Sequence, residues 1–302
     1  MGCGWAGGLT MELANRSYES LLIEQMGRVV RVTLNRPERR NAISPIMRRE
    51  LIDIVEACAR DSSANVVIIR GAGKAFCAGY DVASSASDIG DGGASAQVSV
   101  PRRAVETINL ARDWSRIWNA AIPVIAQIHG YCLAGGTDLA LHCDLVVTAE
   151  DATIGFPALR MGGTPPTSMW IYNLGPQWAK RLLFTGDTFT GRLAEKIGFA
   201  IEAVSADELE ARVMALANRI AAMGRDIVAI NKHVLNMGLD LMGRAALQTI
   251  AAPMDAIANQ APEMSAFQTR AQEIGLSAAF KERDAPFADG VPIDIRKEPG
   301  AP

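Results

Sequence analysis

The sequence predicts an α/β fold, a spiral of strand, glycine turn and helix followed by a helix-rich C-terminal region. Three observations point there. Short apolar strand runs recur (VVIIR, PVIAQI, DLVVTA), with helix-length segments between them. Glycine turns, GAGKAFCAGYD and CLAGG, follow the first two. After about Asp207 no strong strand run remains. Strands alternating with helices favour a layered α/β arrangement over a sandwich.

Taken in order, residues 1–17 read as a flexible N-terminal extension, 18–206 as the spiral core and 207–302 as the helical region and tail. Residues 20–34 alternate as two strands about Met26-Gly27-Arg28, a hairpin signal that Asn35-Arg36-Pro37 ends. Ser44-Pro45 reads as an N-cap with proline at the first helical position. The helix continues through MRRELIDIVEACAR, whose apolar residues fall three and four apart. The buried run VVIIR and the first glycine turn follow. The stretch 84–100 is rich in Ser, Gly, Ala and Asp and reads as a mobile loop. A helix with Trp114 and Trp118 leads to PVIAQI, then to His129-Gly130, CLAGG, the short helix TDLALHC and the strand DLVVTA. From Asp284 the chain reads as an extended tail.

Bulk properties exclude several classes. The chain has 302 residues, 49% apolar and 21% charged, which suits one large domain or a domain with an appendage and argues against wholesale disorder. A net charge of -3 gives no reason to expect nucleic acid or an anionic membrane as partner. The five cysteines (Cys3, Cys58, Cys77, Cys132, Cys143) have no CxxC spacing, so a disulfide framework or zinc knuckle is disfavoured and a reduced, cytoplasmic setting expected. No apolar run is long enough to span a bilayer. With three histidines and no GxSxG, a Ser-His-Asp hydrolase is poorly supported, and the spacing of histidines and carboxylates offers no metal site.

Five segments carry a resemblance to a known family: VTLNRPERRNAIS, IIRGAGKAFCAGYDV, PVIAQIHGYCLAGGTDLALHCDLVV, LLFTGDTFTGRLAEKIGFAIEAV and, more weakly, AFKERDAPF. In this order and spacing, over roughly residues 18–288, they resemble the enoyl-CoA hydratase/isomerase (crotonase) family. The resemblance implies a spiral of ββα turns with a C-terminal helical region, assembly as homotrimers or hexamers, and an acyl-CoA thioester substrate. Coenzyme A is then part of the substrate and no separate cofactor is expected.

The chemistry explains why glycine turns serve this purpose. A thioester enolate concentrates negative charge on its carbonyl oxygen, and two backbone N–H groups aimed there stabilise it as it forms. Glycine lets the backbone approach the ligand. By the family pattern the two donors are Tyr80 and Gly135. Tyr80 stands where the family commonly places Ala; its ring is expected to narrow the acyl pocket or to offer a hydroxyl to substrate. Family hydratases add two glutamates. Here the first position is Asp138, the candidate acid or base, which the start of a helix should keep ionised. The second is Ala158, which transfers no proton, so the hydratase pair is broken.

For the coenzyme, the resemblance implies contacts along Arg39, Arg40 and Ala42, beside Lys74, Ala75 and Ala78. Lys232, with Phe280 and Arg283, matches positions that relatives use at the CoA end. Leu133, Pro157, Met161 and Trp118 are candidate acyl-pocket walls, for which core packing is the competing reading. Asp81 is expected at the site, more as an organiser of its loop than as a reactant. Asp88 and Asp91 lie in the predicted loop. His129, His142 and Asp144 read as hydrogen-bonded structural residues. Enoyl-CoA hydration or its reverse is the leading expectation. Enoyl- or dienoyl-CoA isomerisation, acyl-CoA hydrolysis and non-catalytic acyl-CoA binding stand as alternatives.

Overall fold

A computed structural model describes residues 16–81, 99–287 and 292–294. Most of the expected N-terminal extension, Asp88 and Asp91, and most of the tail lie outside the described residues.

The hairpin forms from β1 (Leu21–Met26) and β2 (Val29–Leu34), joined at Gly27 with a left-handed φ of 62°. Helix α1 (Pro45–Arg60) starts as its sequence demands: Ser44 Oγ accepts from the Met47 N–H at 3.1 Å and Pro45 takes the first turn. Then come β3 (Val66–Gly71), β4 (Ala75–Cys77), α2 (Val100–Asn119), β5 (Val124–Ile128), β6 (Tyr131–Leu133), α3 (Gly135–His142), β7 (Leu145–Ala149) and β8 (Thr153–Gly155). A 3-10 turn, Pro157–Met161, leads into α4 (Trp170–Thr185), β9 (Thr188–Thr190), α5 (Gly191–Lys196) and β10 (Glu202–Val204). Five helices close the described chain: α6 (Leu209–Ala221), α7 (Arg225–Leu241), α8 (Arg244–Ala258), α9 (Pro262–Ile274) and α10 (Leu276–Asp284).

The strands sort into two sheets, one ordered β1-β2-β3-β5-β7-β10 and one ordered β4-β6-β8-β9. The pairs β3/β4, β5/β6 and β7/β8 each put their first strand in the large sheet and their second in the small one. Successive pairs stack in parallel, so the chain advances as a spiral. The central strands β3 and β5 are almost wholly buried, which explains their unbroken apolar runs. The parallel strands β3, β5 and β7 end on the same side, and β4 and β6 pair in parallel, so the two glycine turns after β4 and β6 become neighbours. Leu209, Val213 and Ala217 of α6 join the main core, and α8 packs along α2.

The C-terminal helices hold a polarity the sequence conceals. On α7 the buried residues are Lys232 and Asn236, while Ile230, Val234 and Leu235 are exposed. On α8 Arg244 and Gln248 are buried, and Ile250 and Ile257 are exposed. The Lys232 ammonium donates to Asp144 Oδ2 at 2.7 Å and to the Ile122 carbonyl at 2.9 Å. Asn236 donates to the Trp118 carbonyl at 2.8 Å. These polar groups fasten α7 to the spiral and leave its apolar face outward.

Candidate active site

The first glycine turn is held by Ile43. Its N–H donates to the Gly79 carbonyl at 2.8 Å and its carbonyl accepts from Asp81 N–H at 3.0 Å. This parallel bridge turns the intervening Tyr80 N–H away from Ile43. In the second turn Ala134 sits at φ 48°, ψ -118°, a conformation unfavourable for any residue with a Cβ, and Gly135 begins α3. Strain of that kind, about 1–3 kcal/mol, persists only where surroundings over-determine it, and here Ala134 N–H is fixed to the Gly155 carbonyl at 2.9 Å. Gly79 meets this turn so closely that an added Cβ would lie 3.0 Å from Ala134 Cβ and 3.4 Å from Gly135 N. The Tyr80 and Gly135 amides are therefore neighbours, and among the described residues neither N–H has an acceptor.

Asp138, one helical turn into α3, is fully buried. Tyr80 Oη donates to its Oδ2 at 2.9 Å, and Thr167 Oγ1 donates to its Oδ1 at 2.6 Å. Trp114 Nε1 in turn donates to Tyr80 Oη at 2.9 Å. In this structure the Tyr80 hydroxyl is thus given to Asp138. The tyrosine ring lies over Gly135: a Cβ there would sit 2.7 Å from Cδ2 and Cε2. One residue supplies a free amide, a lid over the second amide's residue and a donor to the carboxyl.

The sequence leads one to expect a carboxyl kept ionised by the helix start; burial works in the opposite direction. Burial raises its pKa to about 7; the Thr167 and Tyr80 hydroxyls oppose the rise, and the negative charge of Asp255 adds to it. Desolvation is the largest cause, since the side chain is shielded from bulk solvent. A carboxyl titrating near neutrality can both take and give a proton at working pH. The Tyr80 phenol is pushed well above its ordinary value, chiefly by burial and then by Asp138, so it stays a neutral donor. His142, pushed down to about 4 by burial, is neutral; its Nδ1 bonds the Asp138 carbonyl at 2.7 Å and its Nε2 faces Gln248 at 3.2 Å.

Tyr80→Phe should raise the Asp138 pKa by removing a donor to the carboxylate, and should leave Trp114 Nε1 without a partner. We expect a stability loss of about 1–3 kcal/mol by thermal unfolding. A kcat profile that depends on ionised Asp138 should move to higher pH.

The expected coenzyme residues divide. Arg40, Ala42, Lys74 and Ala78 are brought together: Ala78 N–H donates to the Arg40 carbonyl at 3.0 Å, and the turn bearing Lys74 packs on the loop bearing Arg40 through Gly73 and Pro37. Buried Asn41 makes that joint. Its Nδ2 donates to the carbonyls of Ala72 and Ala75 at 2.9 and 2.7 Å, and its Oδ1 accepts from Arg36 N–H at 3.0 Å. Arg40 also stacks on Tyr131, 5.5 Å from the ring centre.

Asp81 is ion-paired with Arg36 at 2.8 Å, an organising role. Leu133 ends β6 immediately before the Ala134 turn. Pro157 opens the 3-10 turn that Met161 ends. Arg283 stacks on Phe280 at 4.8 Å, and its Nη1 lies 3.5 Å from Met161 Sδ, so these three form one cluster against the 157–161 segment. Lys232, expected at the coenzyme end, has a buried ammonium bonded to Asp144 and to the Ile122 carbonyl, an anchoring role within this chain. Trp118 is 6% exposed and packs edge-on to His142, the core role. His129 and Asp144 are hydrogen-bonded structural residues. Among the described residues no group of three His, Cys, Asp or Glu could hold a metal ion.

Sequence reasoning missed Thr167, and it read Trp114 only as a helix landmark. A threonine after two prolines carries no local mark of its long-range partner. The Tyr80 departure was the one clue that something unusual faces Asp138.

Residues 24–283 match the family described as enoyl-CoA hydratase/isomerase. The chain is 29% identical over 275 residues to a probable enoyl-CoA hydratase of Rhizobium meliloti, covering 90% of this chain and 98% of the relative. It is 30% identical over 279 residues to a crotonyl-CoA hydratase of Syntrophomonas wolfei, covering 90% and 98%. A crystal structure of an enoyl-CoA hydratase from Mycobacterium smegmatis superposes with a TM-score of 0.84 at 36% identity, covering 90% of this chain and 96% of that one. The spiral topology, the paired glycine turns and these likenesses agree: the chain belongs to the enoyl-CoA hydratase/isomerase (crotonase) family.

Proposed function

We propose that the protein is an acyl-CoA enzyme that holds the thioester carbonyl oxygen between the Tyr80 and Gly135 N–H groups and moves protons through Asp138. The observation that carries this reading is the pair of adjacent amides that have no acceptor among the described residues, beside a buried carboxyl whose pKa is raised to about 7. As charge grows on the oxygen, the amides stabilise it without reorganising, and Asp138 exchanges a proton with the acyl carbons. Hydration of an enoyl-CoA, or the reverse, is the best-supported reaction, since relatives at about 30% identity are named hydratases. Coenzyme A enters as part of the substrate, with Arg40, Ala42, Lys74 and Ala78 along its path. Isomerisation is the second reading, favoured by Ala158, because a double-bond shift needs one proton carrier where hydration ordinarily uses two.

Calorimetry with acetoacetyl-CoA and crotonyl-CoA should give saturable binding, and crotonyl-CoA should gain water by mass spectrometry. Failure of every acyl-CoA to bind at millimolar concentration would overturn the reading.

A homotrimer or hexamer is the proposed assembly. The outward apolar faces of α7 and α8 support it, because contiguous apolar surface of this kind is covered in stable proteins. Light scattering should give three or six times the 32.2 kDa chain mass. A reduced, cytoplasmic setting suits the free, buried Cys58, Cys77, Cys132 and Cys143. Among the described residues no helix is long and apolar enough to cross a membrane.

A further inference from the structure

The glutamate that family hydratases place at position 158 is missing, yet the segment that would have carried it is not without a carboxylate. Gly163 lies directly on Ala158: a Cβ at Gly163 would be 3.3 Å from the Ala158 Cβ. The next residue, Thr164, donates its N–H to Asp255 Oδ1 at 2.8 Å, with its hydroxyl at 3.4 Å. Asp255 belongs to α8, which packs its C-terminal end on this segment; a Cβ at Gly162 would meet the Ala258 carbonyl at 3.0 Å. Three residues beyond Thr164, Thr167 holds Asp138. The stretch Thr164-Pro165-Pro166-Thr167 therefore grips one carboxyl group at each end. Three residues reach about 10 Å at full extension, which limits the span between the two grips, and each carboxyl group lies one hydrogen bond beyond its end of it. The prolines restrict φ and stiffen that spacer.

We propose that Asp255, supplied by the C-terminal helical region, is the second proton-transfer residue of the site and takes the place of the glutamate missing at Ala158. The proposal rests on the acyl-CoA reading above and decides between its two reactions, because two carboxyl groups serve hydration. In that direction one carboxylate accepts a proton as the O–H bond of water breaks and its oxygen bonds the β carbon. The other, entering protonated, loses its proton to the α carbon. One C–O and one C–H bond form as the C=C π bond and the O–H bonds of water and of the protonated carboxyl break, and proton exchange with solvent resets the pair.

Asp255 is suited to this. It is partly exposed where Asp138 is fully buried, so the pair spans the edge of the buried site. Its Oδ2 accepts from Asn259 Nδ2 at 3.2 Å. Burial pushes its pKa up, opposed by the Thr164 and Asn259 donors and by the charge of Arg103 on α2. Arg103 on α2 is the charge that acts on it across the packed elements, and the charge of Asp255 in turn raises Asp138.

The test is Asp255→Asn, which keeps an oxygen to accept from Thr164, with two readouts. Carbon-13 NMR titration of the Asp138 carboxyl should show its midpoint falling by about half a pH unit or more when the neighbouring charge is removed. Turnover of crotonyl-CoA should fall about 100-fold in kcat with KM little changed. Asp255→Glu should recover part of the loss. An unmoved Asp138 midpoint, or wild-type kcat in Asp255→Asn, would overturn the proposal. If the wild type neither binds nor turns over crotonyl-CoA, the acyl-CoA reading is what fails, and the titration alone then decides whether the carboxyls are paired.

Discussion

Asp138→Asn should reduce kcat by about 10²–10⁴-fold while making the protein more stable above neutral pH. Both effects come from one property, the burial of a carboxyl between two hydroxyl donors. In the folded protein Asp138 titrates at about 7, against 3.8 for an unperturbed aspartate. The folded state therefore holds its proton more tightly than the unfolded chain. That contribution to stability is fully present below about pH 4 and is lost as pH rises through 7. At pH 8 the buried charge costs about 4 kcal/mol, which asparagine removes, less whatever the Tyr80 hydroxyl loses when it meets an amide NH₂. Denaturant unfolding at pH 4 and pH 8 checks this. The variant should gain at pH 8 only, and equal stability changes at both values would contradict the assignment of the raised carboxyl.

The second large effect is expected for Gly135→Ala. The added methyl lands 2.7 Å from the Tyr80 ring, so either the ring or the start of α3 must move. Moving the ring breaks the hydroxyl bond to Asp138. Moving the helix turns the Gly135 N–H off its aim. Either way kcat should fall about 10²-fold, the scale seen when one oxyanion donor is lost, and overpacking should cost about 1–3 kcal/mol of stability. Tyr80→Ala vacates the space. Combined with Gly135→Ala, the double variant should be more stable than the sum of the single losses predicts, as for any pair in direct contact.

How much of this was written in the sequence depends on the distance over which each feature acts. The Ser44-Pro45 helix start and the strands β3 and β5 were legible because capping and period are local. The three-residue strands β8, β9 and β10 were not all legible, since three residues establish no period and β9 forms by pairing with β8. Tyr80, Gly135 and Asp138 were legible through the family's glycine turns. Their interaction was not: Tyr80 reaches Asp138 across 58 positions, and Thr167 across 29. Lys232 shows the reverse failure. A lysine on a helix normally points to water, and nothing nearby reveals an aspartate 88 positions earlier in the chain. The available clue was Asn236, four residues on, which puts a second polar side chain on the same helix face as Lys232.

The chain from Trp114 through Tyr80 to Asp138 has one more consequence. An indole N–H sits two hydrogen bonds from the group that ionises near neutrality, in a side chain wholly shielded from solvent. Indole emission follows the electric field and the polarisation of its N–H bond. Trp114 emission should therefore change as Asp138 gains or loses its proton, read as the difference between the wild type and Trp114→Phe because the chain holds five tryptophans.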